Sequence, residues 1–347
     1  MKKRLVRIII QRVAFSFLAF SFCFVAKEAG AQAGGAAGTF TNMGYGARGI
    51  ALGNSGTALT TGDPLALYNP AFSAFQNDRS VNASYSALGL DRTFEVLSFT
   101  GIIPVYKKTP GMIKDTIPDS LRERVSTIGI SAGAVTTGVG NIDQRDADGM
   151  PLGATSTYQD FFYGSVAIRF KPQLAVGVMV KFLEAKLADQ ITSGGVGVDI
   201  GAVYQVSDAL SVAAVVQNMF ASYRWDSTPL YNEQGQTTTD PFPVYFHFGA
   251  AYHVPESGAT ITADFEQSSV NTSIIRGGAE YAFNSAFIIR AGVDGFDLAN
   301  RVSEQVHPSF GLTFKQPLGA FTPAFDYAAY IDPVVGLINV VSLSFQF

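Results

Sequence analysis

Cysteine is nearly absent from this chain: its 347 residues hold one, Cys23. That residue lies in an N-terminal stretch that reads as a secretory signal peptide. Lys2, Lys3, Arg4, Arg7 and Arg12 precede an apolar run from Val13 to Ala26, and Ala29-Gly30-Ala31 supplies a small-x-small cleavage site. Phe22 stands before Cys23, where a lipoprotein cleavage site needs a small residue. The expectation is a signal peptide over 1–31 and a mature chain from Gln32 without cysteine. This excludes disulfides, thiolate catalysis and cysteine-bound metals. Charge is sparse too, at 15% of residues. Loss of the leader removes six basic residues and one acid, which moves the net charge from −4 to about −9. Such acidity argues against nucleic acid as a partner. Histidine is scarce, and its three copies do not stand at zinc-ligand spacing. No serine has a persuasive His and acid arrangement beside it. No cofactor, no metal and no catalytic residue is expected, and the chain reads as a non-enzyme.

Long apolar runs are also missing. Hydrophobic residues make up 47% of the chain, yet after Gln32 none of their runs approaches the roughly 18 residues of a spanning helix. A chain that is apolar overall without apolar blocks spreads its apolar residues singly, as a transmembrane β-barrel does. The closing stretch shows the pattern: Val335, Leu337, Val341, Leu343, Phe345 and Phe347 alternate with Gly336, Ser342, Ser344 and Gln346. A period of two puts the two sets on opposite faces of one strand. With its terminal aromatic, this stretch resembles the closing strand of a Gram-negative outer-membrane barrel. The resemblance implies that Phe345 and Phe347 would act as an assembly signal read by the barrel insertion machinery.

From Arg79 onward, alternating runs are separated by Gly, Pro, Asn, Asp and Ser clusters. They predict strands over 79–90, 92–103, 124–137, 155–170, 173–188, 192–206, 208–224, 239–254, 257–268, 272–284, 286–297, 305–316, 319–331 and 335–347. This is an all-β fold, a transmembrane antiparallel barrel of about 14 strands, an even number as bacterial single-chain barrels have. Tight turns at Lys171-Pro172, Ser207-Asp208, Pro255 to Gly258, Asn284-Ser285 and Lys315 to Gly319 fall on the periplasmic side, and the polar stretches 138–154 and 224–240 are expected as outer loops. One inner connection, Pro104 to Glu123, is long and reads as a periplasmic excursion with a short helix near Asp119. A hairpin repeat of this length would also suit a propeller. The outward sets Val196, Val198, Ile200, Ala202, Tyr204 and Phe242, Val244, Phe246, Phe248, Ala250, Tyr252 are apolar along whole strands, which fits outer-membrane lipid.

Ionisable residues occupy the inward register. Lys181, Asp199, Arg276, Glu280, Arg290 and Asp326 are expected to form a polar network across the lumen, beside Asp264, Glu266, Asp294 and His247. The mixed signs favour neither an anion nor a cation pore. Gly44-Tyr45-Gly46-Ala47-Arg48-Gly49 spells a dinucleotide fingerprint without the parallel strand that must precede one. Asp143, Asp146 and Asp148 do not keep calcium-loop spacing. Gly133, Gly138 and Gly140 at the end of the third strand would suit a kink or a lateral gap.

The domain division is therefore a signal peptide (1–31), an N-terminal segment (32–78) and the barrel (79–347). The middle segment is rich in small residues and calls for close packing, with the lumen as the obvious place. It carries Arg48 after Gly46-Ala47, then Gly49, Gly53, Gly56, Asp63 and Ala66-Leu67-Tyr68-Asn69-Pro70-Ala71. At these residues the chain resembles the PorV/PorQ family of outer-membrane proteins, relatives of the FadL fatty-acid transporters. The resemblance implies a fourteen-stranded barrel with a hatch in its lumen, to which Arg48, Asp63, Tyr68, Asn69, Pro70 and Ala71 would belong. It also implies association with type IX secretion, in which such a barrel handles secreted proteins bearing a C-terminal sorting domain. Trp225 and Tyr231, in the long outer stretch, would be the partner contacts. The alternative within the same superfamily is a FadL-like channel for a hydrophobic small molecule. Phe72-Ser73 after Asn-Pro-Ala, where Gly-Leu is usual, and Tyr68 in place of Trp leave the subgroup open.

Overall fold

The computed structural model describes residues 35–62, 66–106, 124–231, 234–298, 306–333 and 335–347. The signal peptide, Asp63 and the helix expected near Asp119 lie outside them. Among the described residues fourteen antiparallel strands close into one barrel. They are β1 (Ser80–Gly89), β2 (Arg92–Tyr106), β3 (Arg124–Arg145), β4 (Pro151–Lys171), β5 (Leu174–Ala188), β6 (Ile191–Gln205), β7 (Leu210–Met219), β10 (Tyr245–Val254), β11 (Ala259–Ser268), β12 (Ser273–Ala282), β13 (Phe287–Asp297), β14 (His307–Lys315), β15 (Thr322–Asp332) and β16 (Gly336–Gln346). Each pairs with its sequence neighbour, and β1 closes on β16 from Ser80 opposite Gln346 to Ala87 opposite Asn339. The one skip is β7 to β10, which leaves β8 (Ser222–Asp226) and β9 (Thr237–Pro241) as a separate hairpin.

Alternation explains why these runs become strands. In β5 the outward Val178 and Phe182 are exposed while the inward Met179, Lys181 and Leu183 are buried. In β16, Leu337, Val341, Leu343 and Phe345 face out and Ile338, Val340, Ser342 and Ser344 face in. A one-residue slip would exchange the two sets and put serines against lipid, so the pleat itself holds the register. The tight turns fall where alternation lapses, and their polar side chains close them. Asn284 Oδ1 accepts from the N–H groups of Ala286 and Phe287, and Ser207 Oγ accepts from those of Ala209 and Leu210.

Four expectations need correction. The stretch 138–154 is mostly strand: Val139 pairs with Thr157 and, past a bulge at Gly140-Asn141, the ladder continues to Arg145 opposite Pro151, so backbone pairing runs on where the apolar alternation stops. At its tip Asp146 Oδ1 accepts from the N–H groups of Asp148 and Met150, so this carboxylate closes a turn. The strand expected over 208–224 breaks after Met219, where Asn218 (φ 61°) and Phe220 (φ 64°) take left-handed conformations. The strand expected over 239–254 starts later, at Tyr245, and Phe242 turns inward and is buried. Finally, β3 and β4 are paired at Gly133 and Gly138, so no gap opens there, while at Gly140 the register shifts and the ribbon is irregular, as a kink would have it. Gly133 is a site of close approach, since a Cβ on it would lie 2.1 Å from the Leu97 carbonyl oxygen.

Candidate functional site in the barrel lumen

Residues 35–62 and 66–75 run through the inside of the barrel. A 3-10 turn (Thr39–Asn42) leads into the short helix α1 (Gly46–Ala51), and a second 3-10 turn spans Pro70–Phe75. Helix α1 packs against β13, β14, β15, β16 and β1, whereas Pro70–Phe75 packs against β2 to β6 on the other side. The second turn starts with Asn69 as its cap, Oδ1 accepting from the Ala71 N–H, and Pro70 in the first position, where a missing N–H does no harm. Asn69 Nδ2 donates to the carbonyls of Thr57 and Ala202, which ties the cap to β6. Arg169, at the inner rim, lies over the Phe75 ring at 4.4 Å.

Such close packing needs sockets in the wall. Gly177 and Gly201 are direct neighbours across β5 and β6, and a Cβ on Gly177 would stand 2.5 Å from the Pro70 carbonyl carbon. On the other side Gly278 and Gly292 are neighbours across β12 and β13, and a Cβ on Gly292 would stand 2.2 Å from the Gly53 nitrogen. Backbone meets backbone at both places, which only glycine permits. Gly49 in the apparent dinucleotide fingerprint has the same role: a Cβ there would collide with the Tyr68 hydroxyl. Reading the sequence singled out the small residues of the luminal segment and missed the glycines of the wall. Their signal was glycine interrupting otherwise alternating strands.

The inward charges fall into two groups. On β11 to β15, Arg276 joins Glu266 and Asp294, each at 2.5 Å, and Arg290 lies 3.1 Å from Glu280 and 3.5 Å from Asp326, which also accepts from Thr313. The luminal segment plugs into this ladder. Arg48 binds Glu280 through two nitrogens, at 2.9 and 3.2 Å, and donates to the Thr61 carbonyl. Asn42 donates to Glu266, Asn54 to Asp294, and the Thr57 N–H to Asp264. Tyr68 donates to Asn54 and accepts from the Tyr45 N–H; burial holds both phenols above the ordinary tyrosine pKa. The second group, Lys181 and Asp199 at 2.7 Å, lies on β5 and β6, with both side chains 1% exposed. Asn218, which the sequence reading did not single out, bonds to both of them.

Between the two groups the wall is apolar toward the outer end, while Ser98, Thr100, Ser131 and Ser165 face in lower down. Phe94, Val96, Val135, Phe161, Met179 and Leu183 project inward from β2 to β5, and Phe40 and Tyr45 of the luminal segment fill the space they enclose. The Phe40 and Tyr45 rings lie 5.7 and 6.5 Å from that of Phe161. From above, the β8–β9 hairpin adds Tyr223 and Phe242, with rings 4.8 Å apart. Trp225 is half-buried on Tyr223 at 5.2 Å, and Tyr231 closes the short helix α2 (Thr228–Tyr231). Two cavities beside the luminal segment, one near Asn82 and Ser342 and one near Gln217 and His247, measure about 20 Å³ each. Each has room for about one water, at roughly 10–15 Å³ apiece.

A closed antiparallel barrel with an outward apolar belt and a folded segment in its lumen is an outer-membrane barrel of a Gram-negative bacterium. No family model matches the chain. Its fold is that of the FadL-family barrels. The toluene transporter TbuX of Ralstonia pickettii superimposes with a TM-score of 0.57 at 13% identity, over 88% of this chain and 98% of that one. A Pseudomonas aeruginosa FadL homologue gives 0.51 at 13%, over 88% and 98%. The monoaromatic hydrocarbon channel CymD gives 0.58 at 12%, over 87% and 97%. Among curated proteins, indoleacetamide hydrolases of Rhizobium radiobacter and Agrobacterium vitis align at 30% identity over 140 and 135 residues. These alignments span 40% and 38% of this chain, and only 28% and 27% of the hydrolases' length.

Proposed function

We propose that this barrel conducts apolar small molecules across the outer membrane and that residues 35–75 act as its hatch. The observation that carries this reading is the inward apolar wall of β2 to β5. A lumen built to hold water would be polar there, and instead Phe94, Val135, Phe161 and Met179 shape a surface suited to an apolar guest. Phe40 and Tyr45 fill the space in front of it, so passage requires them to withdraw. The transported class named for TbuX and CymD supports the reading by fold alone. The test is uptake of a radiolabelled monoaromatic hydrocarbon or fatty acid into proteoliposomes. Phe161→Asp is expected to abolish uptake while the barrel stays folded; unchanged uptake would sink the proposal.

A second reading, a PorV/PorQ-type partner of type IX secretion that receives proteins with a C-terminal sorting domain, draws support from the β3–β4 ribbon standing clear of the barrel. Co-purification of such proteins, lost on shortening the ribbon or in Trp225→Ala, is its expected sign. Capture that is indifferent to both changes would count against it. Phe345 and Phe347, exposed at the end of β16, are the proposed contacts of the insertion machinery.

A further inference from the structure

Among the described residues the β6–β7 ladder ends early, and two neighbouring side chains tie that point to the luminal segment: Gln217 Nε2 donates to the Leu67 carbonyl at 3.0 Å, and Asn218 reaches the strap. β6 and β7 pair from Gln205 opposite Ser211 to Ile200 opposite Val216; the register then shifts, and the pairing ends at Val198 opposite Met219. Beyond it, the outer end of β6 no longer pairs with β7. Its neighbour there is β8, reached through Ser193 Oγ, which accepts from the Arg224 N–H at 2.7 Å and donates to the Arg224 carbonyl at 3.0 Å. This side-chain seam replaces a backbone ladder.

Asn218 stands where the ladder ends, in a left-handed conformation that suits asparagine. Its N–H donates to Asp199 Oδ1 at 2.9 Å, and its Oδ1 accepts from Lys181 Nζ at 3.1 Å. Its Nδ2 donates to Thr41 Oγ1 at 2.8 Å and to the Pro243 carbonyl at 3.3 Å. One buried side chain thus touches β5, the luminal strap of residues 35–45 and the segment that leads into β10, and its backbone holds β6. We propose that Asn218 is a latch that couples the strap to the β6–β8 seam, so that withdrawal of the strap and separation of β8 from β6 are one event. Bonds inside a buried, low-dielectric cluster are costly to leave half-made, so loss of one partner destabilises the rest. The coupling stands whatever molecule passes, because it is a property of the empty barrel.

Hydrogen exchange of the detergent-solubilised barrel, read by mass spectrometry on peptides covering 35–45, 220–226 and 274–282, tests it. Thr41→Val removes the strap's bond to Asn218 at nearly constant volume, together with the Thr41 hydroxyl's own bond to the Gly38 carbonyl, and touches nothing in the seam, so the response in 220–226 is the one that reads the coupling. Exchange about fivefold to tenfold faster is expected in both 35–45 and 220–226, the loss of roughly one hydrogen bond, with 274–282 unchanged as the control. Acceleration in 35–45 alone would show a local strap contact and overturn the coupling, as would no acceleration at all. Asp199→Asn approaches from the other side. It loosens Lys181 and Asn218 without altering the strap, and the same paired response is expected; a response confined to 220–226 would also overturn the latch. Heat-modifiable migration on electrophoresis verifies that each variant holds a closed barrel, and uptake assays are not needed, so failure here is separate from failure of the transport reading.

Discussion

Gly177 and Gly292 define how near the luminal chain can come to the wall. A methyl group on either would stand within 2.5 Å of luminal backbone that has no room to retreat. Gly177→Val or Gly292→Val should therefore expel part of the luminal segment and leave the outward face intact. Planar-bilayer recordings are expected to show conductance that the parent barrel lacks. Arg48 and Glu280 make the complementary contact, through charge. Glu280 bridges Arg48 and Arg290, and with the Arg48 and Glu280 side chains only 11% and 12% exposed, Glu280→Gln removes a buried charge shared by two guanidiniums and should cost about 3 kcal/mol of stability. The paired replacement Arg48→Met with Glu280→Met should restore much of it, as thermal unfolding in detergent would show. Neither role was visible in the sequence at this resolution. The inward parity of Glu280 was legible, but its partner lies 232 residues away and only the closed barrel brings them together.

Among elements, the strands were the most legible, since a period of two imposed by lipid on one side and a polar or small-residue lumen on the other writes itself into every crossing. It fails where lipid no longer imposes it. Above the membrane β3 and β4 run on as a two-stranded ribbon, which polar composition disguised as loop. At Met219 the alternation continues through Tyr223 while the backbone kinks, because Asn218 and Phe220 turn left-handed. The β8–β9 hairpin that results is held by its own ladder, by the Ser193 seam to β6 and by the rings of Tyr223, Trp225 and Phe242. Tyr223→Ala should remove about 3 kcal/mol of packing and open the loop 226–237 to external protease, with the cleaved barrel still migrating as a folded species. Persistent resistance would mean that other contacts hold the hairpin.

The lumen is divided around its wall, with a charge ladder along β11 to β15, one buried ion pair on β5 and β6, and an apolar patch toward the outer end of β2 to β5. The luminal segment matches this division, with Arg48, Asn42 and Asn54 toward the first and Phe40 and Tyr45 toward the second. The sequence carried the inward charges but not their sorting, since sides of a barrel exist only after closure. Closure itself joins β16 to β1, and the Phe347 N–H and carbonyl both pair with Arg79. Deleting Phe347 should lower the folded barrel recovered from outer membranes, measured by quantitative immunoblot of heated and unheated samples.

The β3–β4 ribbon carries one more consequence. Its seven residues from Val139 to Arg145 rise roughly 20 Å above the strands that flank them, at about 3.3 Å per residue. The turn at Asp146 to Gly149 is thus carried well outside the membrane, within reach of an antibody or a phage. A peptide grafted between Ala147 and Asp148 would be carried clear of the lipopolysaccharide sugars nearest the membrane, on a stalk whose folding the barrel does not depend on.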